Sequence, residues 1–267
     1  QLMLNQGINN TLIYEGVDPH IYHPAPKLGY LNNRFVIFSG GKIEFRKGQD
    51  LVIAAFKKFH QKHPEALLIV AWNTHFPQFI FDMTREGHIQ KQPEINRNGQ
   101  VSIHKWLVAN DLAPFSFIAL DYQRDQYIAE IIREADVALL PSRSEAGTNL
   151  FAKECAACAT LLILSANTGH LELIDLIGVK NCYPLKAQKP VRPMGFWTGT
   201  DGWGESSPDE IVEKLEEVYQ NRKKAAQKGL RASANLLKNR TWAKQTDLFL
   251  KKIDFLGIIL AAVSLGV

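Results

Sequence analysis

The sequence predicts an α/β fold, a doubly wound parallel sheet with helices on both faces, on three observations. Its short apolar runs are continuous rather than alternating, the pattern of strands buried on both faces. The segments between them carry apolar residues at helical spacing. The two kinds of segment alternate along the chain, as crossover connections between parallel strands require. With 267 residues, 46% of them apolar, there is ample chain to bury such a core.

Phe35-Val36-Ile37-Phe38 reads as the first strand, and Leu51, Val52, Ala55, Phe56 and Phe59 place a helix after it. Leu67-Leu68-Ile69-Val70 and Phe117-Ile118-Ala119-Leu120 are the next strands. The stripe Ile128, Ile131, Ile132 and Ala135 then precedes the strand Val137-Ala138-Leu139-Leu140. Leu161-Leu162-Ile163-Leu164 follows, with the stripe Leu171, Leu173, Ile174 and Ile177 behind it. Ser207-Pro208-Asp209-Glu210 reads as a capping box with proline at the first helical position, opening a helix striped by Ile211, Val212, Leu215, Val218 and Tyr219. Residues 186–206 lack periodicity and are crowded with Gly, Pro and Trp, so they read as one long wrapping or functional loop. The apolar run 255–267 falls short of the ~20 residues of a spanning helix. It reads as a terminal helix docked on something, with interfacial membrane contact as the lesser option. Residues 1–240 are thus expected to form one domain, and 241–267 a terminal helix and apolar tail.

Composition excludes several classes. Lys and Arg total 31 against 27 Asp and Glu, a dispersed net charge of +4, so no nucleic-acid partner is expected. Three cysteines disfavour a disulfide framework and suit a reducing, cytoplasmic compartment. The opening residues Gln1-Leu2-Met3-Leu4 lack the basic start and long apolar run of a signal peptide, and the missing initiator Met suggests a fragment or processed piece.

In open α/β sheets ligands bind beyond the carboxyl ends of the strands, which selects three loops. The first, Ser39-Gly40-Gly41-Lys42-Ile43-Glu44-Phe45-Arg46-Lys47-Gly48, brings Lys42, Arg46 and Lys47 to a glycine turn suited to a diphosphate. The plain alternative is a solvated basic turn. The order Gly-Lys-Ser/Thr is absent, so it is not a Walker loop. The second, Pro141-Ser142-Arg143-Ser144-Glu145-Ala146-Gly147-Thr148-Asn149-Leu150, offers free amides at the positive end of a helix that carries Glu154. Glu154 there can accept two sugar hydroxyls or serve as a dipole partner, and Glu145 can pair with Arg143 or a neighbour. In the third, Ala166-Asn167-Thr168-Gly169-His170, Thr168 reads as a helix cap and His170 is given no role. Cys155 and Cys158 have CxxC spacing but lie in a helical pattern with no second pair, so they read as small core residues rather than zinc ligands. The pairs His20/His23 and His60/His63 read as isolated, without a carboxylate partner.

Taken together, Glu15-Gly16-Val17-Asp18 with Pro24, the segment from Phe38 to Leu51, the segment from Glu134 to Leu150, and Glu154-Cys155-Ala156-Ala157-Cys158 resemble group 1 glycosyltransferases of family 4. Trp203-Gly204-Glu205 and Thr241-Trp242 match its later landmarks. The resemblance implies a Rossmann-like domain, the C-terminal, nucleotide-sugar-binding half of a GT-B fold, over roughly residues 8–250. It makes Lys47, Lys42 in the place of an Arg, and the amides of Gly147, Thr148, Asn149 and Leu150 diphosphate ligands, to which the reading of the basic turn adds Arg46. It makes Glu154 the ribose ligand, Glu145 the catalytic acid facing the donor sugar, and Leu120, Asp121 and Tyr122 the base-packing segment.

The sequence departs from the family pattern in four ways. Lys42 stands where the family usually has Arg, which removes a bidentate fork. Glu145 and Glu154 are nine apart rather than eight. Ala159 and Leu161 replace Gly and Pro, and the acceptor-binding N-terminal half of the fold lies outside these residues. The implied reaction is retaining transfer of a sugar from a UDP- or GDP-sugar to a saccharide or lipid-linked acceptor, of the kind that builds cell-surface polysaccharide. No metal or other cofactor is expected, and the enzyme is expected to be cytoplasmic with peripheral membrane contact open. Two other readings stay open: a non-catalytic nucleotide-sugar-binding module, and another GT-B enzyme such as a sugar-nucleotide epimerase.

Overall fold

A computed structural model of the chain describes residues 6–195 and 197–264, with side chains described as far as Ile253. The first strand, β1 (Phe35–Lys42), leads through a short turn of tight helix at Phe45–Lys47 into α1 (Gln49–Lys62). Next come β2 (Ala66–Asn73), α2 (Ile103–Ala109), β3 (Phe117–Ala119), α3 (Asp125–Glu134), β4 (Val137–Leu140) and α4 (Leu150–Ala157). The chain continues with β5 (Leu161–Ser165), α5 (Thr168–Ile177), β6 (Tyr183–Leu185), β7 (Gln188–Pro190) and β8 (Gly204–Ser206). Three helices close it: α6 (Pro208–Gln220), α7 (Arg222–Asn239) and α8 (Trp242–Ser264).

Six strands form one parallel sheet in the order β3-β2-β1-β4-β5-β6. All five predicted runs are in it, and four are buried on both faces because their side chains alternate between two cores; β3, at the sheet edge, is not, and its Ile118 is exposed. Phe35 and Ile37 join α1 and α6 on one face, while Val36 and Phe38 join α3, α4 and α7 on the other. The strand order reverses between β1 and β4, and that switch point opens a crevice at their carboxyl ends.

Several local expectations are corrected. Residues 186–206 are not one irregular loop: they contain the antiparallel ribbon of β7 and β8, too short to show a period. The strand β6 went unpredicted because three residues with a central Pro184 carry no pattern. Ser207 does cap α6, accepting from the Asp209 N–H, but Glu210 does not complete a capping box; it accepts from the N–H groups of Lys186 and Ala187. The residue capping position before α5 is Asn167, and Thr168 lies inside the helix at φ 39°. Leu171 is exposed while the rest of its stripe is buried. His63 is not isolated, since its Nε2 lies 2.9 Å from a Glu216 carboxylate oxygen. Cys155 and Cys158 are buried, unpaired core residues, as expected. The side chains expected to form an apolar docking face at 255–267 lie outside the described residues. Among the described residues no helix is long and apolar enough to cross a membrane.

Candidate functional site

The crevice is a cleft of about 430 Å³, and every site residue expected from the sequence lines it: Lys42, Arg46, Lys47, Leu120, Asp121, Tyr122, Glu145, Gly147, Thr148, Asn149, Leu150 and Glu154. Two close approaches bring its walls together. Gly48, at φ 72°, lies where a Cβ would meet the Pro141 carbonyl oxygen at 2.3 Å, so the β1–α1 turn sits directly on the end of β4. Gly169 lies where a Cβ would meet the Gly147 carbonyl oxygen at 1.8 Å, which presses the start of α5 against the loop before α4.

At the centre the Lys47 ammonium donates to both oxygens of the Glu145 carboxylate, at 2.8 and 2.6 Å. Arg46 (3.2 Å), the Ser142 hydroxyl (2.6 Å) and the Asn149 amide (2.8 Å) also donate to that carboxylate. Burial opposes ionisation of both partners. For Glu145 burial is the largest single influence, but the Lys47 charge together with the hydrogen bonds from Lys47 and Ser142 overcomes it and the carboxyl lies below its ordinary range; for Lys47 burial prevails and the ammonium is lowered. The plain alternative of a Glu145–Arg143 pair is not what forms. Lys42 is exposed at the cleft mouth, its ammonium 5.2 Å from the Phe76 ring centroid.

Asn149 caps α4: its Oδ1 accepts from the Ala152 N–H at 3.3 Å. Among the described residues nothing accepts from the backbone N–H groups of Gly147, Thr148 and Leu150, so they remain available to an anion at the positive helix end. One turn along, the Glu154 carboxyl is pushed up to about 7, by burial first and then by Asp125. Leu120, Asp121 and Tyr122 form the far wall beyond β3, with Tyr122 and Asp121 exposed.

The sequence reading missed the groups that hold this arrangement. His170, given no role, is wholly buried beneath Glu145. Burial lowers it to about 4, so it is neutral, with Nδ1 donating to the Ser165 carbonyl and Nε2 accepting from Asn149. Thr168, expected as a cap, instead accepts from the Glu145 N–H at 2.8 Å. Arg143 is fully buried: it binds both oxygens of Asp50 (2.8 and 2.6 Å), Glu205 (2.8 Å) and the Phe45 carbonyl (2.7 Å). It thereby ties the Lys47 turn to α1 and β8. Only the rarity of Arg in the interior hints at such a role, and sequence alone does not show burial.

A family model described as "Family 4 Glycosyltransferase in conflict systems" matches residues 101–249, more than half of the chain. The chain belongs to this family. A search of curated proteins gave no match. Among solved structures, this family 4 chain is similar to HepE of Anabaena, crystallised with UDP and glucose, with a TM-score of 0.66 and 14% identity over 94% of the chain and 59% of HepE. It is similar to sucrose-phosphate synthase of Thermosynechococcus elongatus, with a TM-score of 0.67 and 16% identity over 96% of the chain and 56% of that enzyme. It also resembles the C-terminal domain of LpcC, a group 1 family protein of Francisella tularensis, with a TM-score of 0.54 and 19% identity over 82% of the chain and 97% of that domain. The likenesses establish the fold: this is the C-terminal domain of the GT-B architecture, and it spans about three fifths of HepE's length.

Within the family 4 domain, the N-terminal segment reaches the same site. Glu15 accepts from the Thr148 hydroxyl and the buried Lys153 ammonium, each at 3.1 Å. Among the described residues no group of three His, Cys, Asp or Glu side chains could hold a metal ion.

Proposed function

We propose that this chain is the donor-binding half of a retaining glycosyltransferase that moves a sugar from a nucleotide-sugar to a saccharide or lipid-linked acceptor. Residues 1–240 form the donor domain and 241–267 the terminal helix and tail. The observation that carries the reading is the convergence in one crevice of three cations, three open helix-start amides and two acids, from loops about a hundred residues apart in the chain. Cations and amides stabilise the charge that builds on a departing diphosphate. Lys42, Arg46, Lys47 and the amides of Gly147, Thr148, Asn149 and Leu150 take the diphosphate, Glu154 takes the ribose hydroxyls, and Leu120, Asp121 and Tyr122 pack the base. Glu145 acts as the acid beside the donor sugar, and its link to Lys47 couples sugar and phosphate. The UDP held by HepE supports a UDP-sugar donor. A cytoplasmic site of action and a role in cell-surface polysaccharide synthesis, with peripheral membrane contact through the tail, follow from the resemblance and the unpaired cysteines.

Calorimetry of the chain against UDP, GDP, ADP and uridine tests the reading. UDP is expected to bind and uridine to bind far more weakly, with no sugar transferred from UDP-glucose by these 267 residues alone. Binding of no nucleotide overturns the function, and turnover by the chain alone overturns its assignment as half an enzyme.

A further inference from the structure

A second cavity, of about 480 Å³, lies between Arg85 and Glu86, in the segment joining β2 to α2, and the ribbon of β7 and β8. It shares no lining residue with the donor cleft. Three cations border it: Arg85, Lys189 and Arg192. Arg85 is the unusual one, with a side chain only 8% exposed. Its Nε pairs with Glu86 at 3.1 Å and its Nη2 donates to the Arg192 carbonyl, but its Nη1 is buried with no acceptor among the described residues. A charged N–H taken out of water without a partner is costly, and the cavity beside Arg85 is where an acceptor can enter.

The other two cations are unclaimed as well. Among the described residues neither the Lys189 nor the Arg192 side chain meets a carboxylate, and both are exposed. Lys189 lies across the ladder from Glu205, but Arg143 at 2.8 Å and His88 at 3.0 Å take the two Glu205 oxygens. The wall that carries these cations is fixed. Pro190 and Pro193 each lock a backbone torsion next to them, and the Thr200 hydroxyl donates to the carbonyl of buried Val191 at 2.8 Å. A wall of this kind loses little freedom when a ligand binds.

Three cations around one cavity suit a dianion, and guanidinium forks match phosphate oxygens. The volume is that of a small-molecule site rather than of a bare ion. Pro190, Pro193 and Met194 add apolar lining for the body of such a molecule. We propose that this cavity binds a small phosphate monoester, its phosphate held by Arg85, Lys189 and Arg192 and its carbon body set against the two prolines and Met194. The proposal does not rest on the donor-half reading.

Phenyl phosphate titrated into the full chain, followed by calorimetry and phosphorus NMR, tests it. Saturable binding is expected, with none for phenol. It should weaken at least about threefold in Lys189→Ala and in Arg192→Ala, and at least about tenfold in the double variant, whose UDP affinity should match the wild type. Arg85→Gln should abolish it, and the exposed pair keeps the test decisive if that buried change unfolds the chain. Lys42→Ala, at an exposed cation of the cleft, should leave it unchanged. Binding of no phosphate ester, or binding that Lys42→Ala weakens while the double variant does not, overturns the proposal. Equal binding of phenol also overturns it, as does binding to vesicles bearing phosphatidic acid without binding of the soluble ester.

Discussion

Lys47 and Glu145 occupy each other in a cleft built to receive an anion. Replacing Lys47 by Ala leaves a buried carboxylate short of its main partner, and breaking such a pair costs about 3–5 kcal/mol of stability. On the proposed reading a charge-assisted phosphate contact is lost as well, so UDP should bind roughly ten- to a hundredfold more weakly while uridine is unaffected. Calorimetry with both ligands checks this; equal loss for both would place Lys47 outside the phosphate site. Glu154 carries the pH dependence. On the proposed reading its ionised form accepts the ribose hydroxyls, and its carboxyl sits at about 7. UDP affinity should therefore fall by up to about tenfold from pH 8 to pH 6, with 2′,3′-dideoxy-UDP losing less. The stability sign is opposite. The folded carboxyl holds its proton above the ordinary 4.5, so its contribution is full below about pH 4.5 and is lost as pH rises through about 7. Glu154→Gln cannot ionise, and its melting temperature should gain on the wild type between about pH 5 and pH 8. A constant difference across that range would show that the carboxyl is not titrating there.

At the scale of elements, the site depends on how closely two helix starts approach. The Gly169 N–H donates to the Glu145 carbonyl at 3.2 Å, and a methyl group on Gly169 has no room beside Gly147. Gly169→Ala should push the loop before α4 outward, costing about 1–3 kcal/mol by overpacking and weakening UDP binding with it. Chemical denaturation and nucleotide titration measure the two effects; a change in neither would mean that α5 yields without moving the loop. Five of the six sheet strands and the helices with a clear apolar stripe were legible from period alone, as Leu51 to Phe59 show. The contacts between helix starts were not, because Thr168, Gly169 and His170 act on residues more than twenty positions away in the chain.

Across the whole molecule the two ends of the described chain are stitched together. Val17 pairs with Thr241 in an isolated parallel bridge, and a Cβ on Gly16 would meet the Trp242 nitrogen at 2.3 Å. Val17 also donates to the Arg240 carbonyl at 2.8 Å. Gly16→Val should wedge this seam, lower stability by about 1–3 kcal/mol and release Glu15 from Thr148 and Lys153. Urea denaturation gives the first effect. A rise in the phosphate affinity of the freed helix start would report the second, and unchanged stability would show that the seam is slack.

Sequence by itself determined five of the six sheet strands, the striped helices that flank them and the strand-end loops at which the cleft opens. Each of these follows from local chemistry: continuous apolar runs, helical stripes, and glycine and cations at the ends of strands. Tertiary structure alone decided which charges meet. Glu145 is claimed by Lys47 rather than by Arg143, two residues away, because the crossover from β1 brings Lys47 within 2.6 Å while Arg143 turns inward to Asp50 and Glu205. The same packing buries His170 and denies it a charge. Partners of this kind are set by the fold of distant segments, and no spacing within either segment records them.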